Sequence, residues 1–161
     1  MKILWISLSC LMLAAPSAFA GIVLNFTQST VSGTPGSTIK FFGTLTNTDP
    51  FVTFINSDSA NITGPGFTIN DSPFLINAPL TMNGNTTTLL AFEIIDVTIP
   101  SFAAPGSYNG SIAVLGGPAA NSQNVLGQST FRVQVNAVTP EPATMGMLLF
   151  GGIAVLLGRR K

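Results

Sequence analysis

Glu93 and Asp96 are the closest-spaced carboxylates in this chain, and such a pair first suggests general acid–base chemistry. They stand three positions apart in an extended stretch. Side chains on a strand alternate faces, so the two are expected to point to opposite sides of a sheet and not to act jointly. Asp49, Asp58 and Asp71 fall among turn residues, where Asp serves the backbone. Two of these sharing a Ca²⁺ is the alternative, without a D-x-D-x-D-G spacing to support it. Histidine is absent, and the one cysteine, Cys10, lies in an N-terminal apolar run. Beyond that run, Ser–His and Cys–His catalysis, disulfides and thiolate metal sites are excluded. No catalytic residue, cofactor or metal ligand is expected, and the chain is read as a non-enzyme.

Charge narrows the choice further. Only 7% of residues are charged, and the formal net charge of zero hides an uneven distribution. Between Gly21 and Glu141 the basic residues are Lys40 and Arg132, against Asp49, Asp58, Asp71, Glu93, Asp96 and Glu141. A mildly acidic segment with two separated cations has nothing to hold a phosphate backbone, so nucleic-acid binding is excluded.

Both ends of the sequence read as targeting segments. Residues 1–20 have Lys2 as a short basic start, the apolar run Ile3–Ala15, the helix-breaking Pro16, and Ala18-Phe19-Ala20. Small residues at Ala18 and Ala20 fit the small-x-small rule of a signal peptide, with cleavage after Ala20 by signal peptidase following passage through the Sec translocon. A lipobox at Leu8-Ser9-Cys10 is the weaker alternative, because Ser7 stands where a large aliphatic residue belongs.

At the other end, Pro140-Glu141-Pro142 precedes the apolar run Ala143–Gly158 and the basic Arg159-Arg160-Lys161. Two prolines keep 140–142 extended, the shape a peptidase cleft accepts. As a helix the run's sixteen positions would reach about 24 Å, near the ~30 Å hydrocarbon core of a bilayer. The basic cluster is expected to stay cytoplasmic, leaving everything before Pro140 outside. This order of parts resembles the PEP-CTERM sorting signal of Gram-negative bacteria, whose processing enzymes are the exosortases. The resemblance implies cleavage near the motif by a membrane-embedded, cysteine transpeptidase-like enzyme, after transient anchoring by the helix 143–158. It further implies delivery to the cell surface or extracellular matrix.

The segment that carries the remaining side chains, 21–137, reads as all-β. Ile22, Leu24 and Phe26 alternate with Val23, Asn25 and Thr27, and Ile39, Phe41 and Leu45 with Lys40, Phe42, Thr44 and Thr46; Tyr108, Ile112 and Val114 share a face, as do Phe131, Val133 and Val135. Extended pieces are expected over Phe51–Ile55, Phe67–Ile69 and Phe74–Ile76, with a hairpin turn at Asn83-Gly84. Thr87–Ile99 is expected to be the longest strand region, interrupted by a bulge or a change of sheet because its faces do not stay cleanly apolar and polar. About seven or eight short strands amount to an antiparallel β-sandwich, and about 115 residues can bury a sufficient core without disulfides. The Pro35-Gly36 turn before a strand ending at Asn47, and Pro105-Gly106-Ser107-Tyr108, resemble bacterial immunoglobulin-like modules. That resemblance implies a tyrosine corner, with Tyr108 bonding backbone near Ile99–Ala103; simple packing at a strand start is the equal alternative.

Five N-x-[ST] triplets begin at Asn25, Asn61, Asn70, Asn85 and Asn109, as a Ser-, Thr- and Asn-rich sequence also produces by accident. The expected function is a structural or adhesive surface protein, embedded in the exopolysaccharide with which the resembling family is associated. A tail-anchored carbohydrate- or ligand-binding module is the second reading. It would need an aromatic platform, for which Phe42, Phe51 and Phe102 are the candidates, each otherwise expected in the core or at the sandwich ends. A glycosidase would need two acids in a cleft.

Overall fold

Alternating apolar residues become paired strands along most of the described chain. The structure, a computed structural model, describes residues 21–137; the expected signal peptide (1–20) and the sorting tail with its helix and basic end (138–161) lie outside the described residues. The strands are β1 (Ile22–Phe26), β2 (Thr30–Gly33), β3 (Thr38–Asn47), β4 (Thr53–Ile62), β5 (Thr68–Asn70), β6 (Thr81–Met82), β7 (Phe92–Thr98), β8 (Gly106–Gly117) and β9 (Asn124–Val135). One short helix, α1 (Ser72–Asn77), lies between β5 and β6.

Two sheets form, in the orders β1-β3-β7-β5 and β2-β9-β8-β4-β6. Pairing is antiparallel except between β2 and β9, which run parallel. The inward faces share one core: Ile39, Phe41 and Leu45 from the first sheet, Ile112, Val114, Phe131, Val133 and Val135 from the second. Phe41 and Phe131 meet across the layers with ring centroids 4.9 Å apart, and Phe26 closes edge-on against both. The Phe131 ring lies over its cross-strand partner Gly110, where any Cβ would collide with it. The result is an all-β sandwich, with nine strands where seven or eight were expected.

At one end, Asn47 is fully buried and its side chain ties together two segments, 49–53 and 82–83. Its Nδ2 lies within bonding reach of the Phe51 and Met82 carbonyls, at 2.9 and 3.1 Å, while its Oδ1 accepts from the Asp49 N–H at 3.0 Å. The Pro35-Gly36 turn closes the opposite end, with Gly36 at φ +85° and Ser37 N–H bonded to the Thr34 carbonyl. Gly21 therefore enters at the Asn47 end, where its carbonyl accepts from Thr48, and Asn136 leaves at the other, bonded to Gly33.

Several local expectations are corrected. Phe74–Ile76 is not extended; it lies in α1, started by Pro73, whose missing N–H costs nothing in a first helical turn. Only Phe74 is buried there, against Phe92, so no alternation held a strand in place. Asn83-Gly84 does not close a hairpin: the turn falls at Gly84-Asn85, and its flanks join different sheets. Thr87–Ile99 is not the longest strand region; regular pairing covers only Phe92–Thr98, whereas β8 and β9 have twelve residues each. The strand expected over Phe51–Ile55 begins at Thr53 and continues to Ile62.

Candidate functional site

The expected bulge in β7 is present and changes what its acids can do. Phe41 pairs with Ile95 but Phe42 pairs with Glu93, so Ile94 is the extra residue, and Ile94 and Ile95 are both buried. One inserted residue reverses the alternation. Glu93 and Asp96 therefore share the outer face of the first sheet, contrary to the expectation that they diverge. Opposite them on β3 stands Lys40. Its Nζ donates to both Glu93 carboxylate oxygens at 2.9 Å and lies 3.7 Å from Asp96 Oδ1, while Asn70 Nδ2 donates to Asp96 Oδ2 at 3.4 Å.

The two carboxyls are pushed in opposite directions. The hydrogen bond from Lys40, then one with Asp96, holds Glu93 below the usual carboxylate range. Burial, then the hydrogen bond and charge of Glu93, raises Asp96. Lys40 is raised, chiefly by its bond to Glu93. Divergent carboxyls are a signature of acid–base pairs, but here one cation, Lys40, reaches both. A glycosidic pair needs roughly 5 Å or more with substrate between the acids. This cluster instead ties β3 to β7.

Asp58 is a second departure. It lies within β4 and not in a turn, and a bulge at Asn56 sets its facing. Ile55 pairs with Gly116 and Ser57 with Leu115, after which Asp58 stands opposite the fully buried Val114. Its side chain thus faces inward, and neither carboxylate oxygen has a hydrogen-bond partner. Burial, with the charge of Asp71 added, pushes its pKa up to about 6. Asp71 stands just before α1 as its N-cap residue, and Asp49 lies in the bend after β3. Among the described residues no three His, Cys, Asp or Glu side chains converge.

Tyr108 makes the corner expected of it, shifted by one residue: its hydroxyl donates to the Ala104 carbonyl at 2.9 Å, and its ring packs 4.5 Å from Phe67. All five sequon asparagines are exposed. Phe42, Phe51 and Phe102 are exposed by 43%, 77% and 71%, rather than packed. Phe42 is midway along β3, Phe51 at the Asn47 end and Phe102 in the loop after Ile99 at the opposite end, so they form no common platform.

Sequence reasoning missed one feature. An open groove of about 570 Å³ runs over the outer face of the second sheet, lined by Ser29, Thr30, Asn109, Thr130 and Arg132. Its lining comes from three strands and a loop whose partners the sequence alone does not reveal. The cue available beforehand was Arg132 facing water on a strand.

Solved structures with similar architecture are distant. E. coli alpha-2-macroglobulin in its native conformation is 11% identical over 74% of this chain and 7% of that one, with a TM-score of 0.49. The secreted serine protease VesC of Vibrio cholerae is 6% identical over 80% and 26%, also at 0.49. The PapD-like domain 7 of human CEP192 is 12% identical over 85% and 99%, at 0.42. This chain thus spans 7% and 26% of the length of the first two, and likenesses at this level carry no argument about function. No curated protein matches the sequence. The tail is different: residues 138–161, with Pro140, Glu141, Pro142 and Arg159, Arg160, Lys161 among them, match the family model described as the PEP-CTERM protein-sorting motif. The chain carries a PEP-CTERM sorting signal, and with it the implication of an exported protein processed by an exosortase.

Proposed function

We propose that this is a non-catalytic matrix protein, a compact β-sandwich delivered to the cell surface and held in or against the extracellular polysaccharide. The apolar run 143–158 anchors the precursor in the inner membrane with Arg159, Arg160 and Lys161 on the cytoplasmic side, and an exosortase cuts near Pro140–Pro142. Signal peptidase removes 1–20 after Ala20. The match of residues 138–161 to the sorting motif carries the reading.

The domain itself is compatible with such handling. Among the described residues the core ends at Val135, and Asn136 and Ala137 are exposed, so a cut beyond Ala137 leaves every one of these core side chains in place. Its outer faces are rich in hydroxyl and amide groups, which bond to hydrated glycans without releasing a large apolar area. The close acid pair Glu93 and Asp96 is bridged by Lys40 and lies on the other sheet from the polar groove, which supports a non-catalytic role.

The test is the carboxyl-terminal mass of the mature protein from cells with and without the exosortase. Trimming near Pro140–Pro142 is expected only in cells that have the enzyme, with a longer membrane-bound form in those that lack it. A product ending at Lys161 in both overturns the reading in favour of a tail-anchored module, and one trimmed alike in both overturns the assignment of the cut to the exosortase.

A further inference from the structure

We propose that the groove around Arg132 binds an anionic glycan through the carboxylate of a uronic acid residue. This deepens, and rests on, the reading of the domain as a matrix protein. Arg132 lies on the outer face of β9, between its register partners Thr30 on β2 and Asn109 on β8. Its Nε donates to Asn109 Oδ1 at 3.1 Å, which orients the guanidinium plane. No carboxylate among the described residues lies within ion-pair distance of it. The other cation of the described residues, Lys40, is neutralised by Glu93 and Asp96 on the opposite sheet. Arg132 is thus an oriented and uncompensated cation in an otherwise mildly acidic domain.

The lining selects among anions. A guanidinium fork matches a carboxylate with two parallel hydrogen bonds. Ser29, Thr30 and Thr130 add hydroxyls, and Asn109 an amide, the donors and acceptors that sugar hydroxyls need. A phosphate polymer is held by many cations at once, and this face has one. An acidic peptide would gain from apolar pockets, but the groove is mainly polar. Beyond the groove the same face continues with the hydrogen-bonded pairs Ser107–Gln134 and Ser111–Asn61, so a sugar chain can lie across the strands in contact with polar groups throughout.

The test is affinity electrophoresis of the mature protein purified from cells, in native gels containing polygalacturonate, dextran or poly-glutamate. Retardation is expected in polygalacturonate alone, diminishing with added salt. Arg132→Gln is expected to weaken it at least about ten-fold. Arg132→Lys, which keeps the charge but loses the fork, should fall between, and a Lys40→Met control should match the parent. Thermal melts of each variant verify folding. Equal retardation of parent and Arg132→Gln, retardation by dextran, or equal retardation by poly-glutamate overturns the proposal. If polygalacturonate fails while exosortase-dependent trimming holds, this inference falls and the matrix-protein reading stands.

Discussion

Asp58 combines an inward position, no hydrogen-bond partner and a pKa near 6. A folded-state pKa above the unfolded one means that the native protein binds the extra proton, so Asp58 contributes least to stability when ionised. Its cost appears as pH rises from about 4 to about 6 and is constant above. Asp58→Asn should therefore raise stability at pH 7.5 by about 1 kcal/mol, the full shift being discounted because the side chain is only half-buried. The gain should vanish near pH 4. Chemical denaturation at the two pH values checks both statements, and an equal gain at both would contradict the assigned cause. An inward-pointing charge on β4, whose outer edge is paired only at Thr53 and Phe54, also opposes edge-to-edge pairing with another strand.

Bulges decide which residues meet at the scale of single strands. Ile94 brings Glu93 and Asp96 to one face, Asn56 turns Asp58 inward, and Leu126 adjusts β9 against β8. Lys40→Met would leave the two β7 acids facing each other without a cation. A lower melting temperature at pH 7 is expected, partly recovered near pH 4 where a proton is shared between them; thermal melts across that range measure it. Where strict alternation holds, in β1, β3, β8 and the last residues of β9, the facing of every side chain was legible in advance. An inserted residue leaves only a blurred pattern, as in Glu93–Ile99, where a bulge was legible but its position was not. The register of Asn56 against β8 left no trace, because Ser57–Asn61 carries one small apolar residue, Ala60, and polar groups on both possible faces. α1 escaped for a related reason: with one buried anchor, Phe74, a short apolar stretch shows neither period.

The molecule as a whole separates a folded cargo from a tail that directs its handling. Among the described residues, the core runs from Ile22 to Val135. A chain ending at Ala137 should therefore melt cooperatively at the same temperature as the full-length protein in detergent, as differential scanning calorimetry would measure; a large drop would mean that residues 138–161 contribute to the fold. The tail was legible because its signal is local and compositional. The Arg132 groove was not, because its walls come from strands that become neighbours only through the β2–β9 and β8–β9 pairings. Entry and exit at opposite ends have a consequence for display. Gly21 and Phe51 lie at one end of the sandwich, and Phe102 and Asn136 at the other. With strands of twelve residues, the two ends are roughly 35–40 Å apart. An epitope placed just after Ala20 would therefore sit at the end of the domain farthest from Ala137.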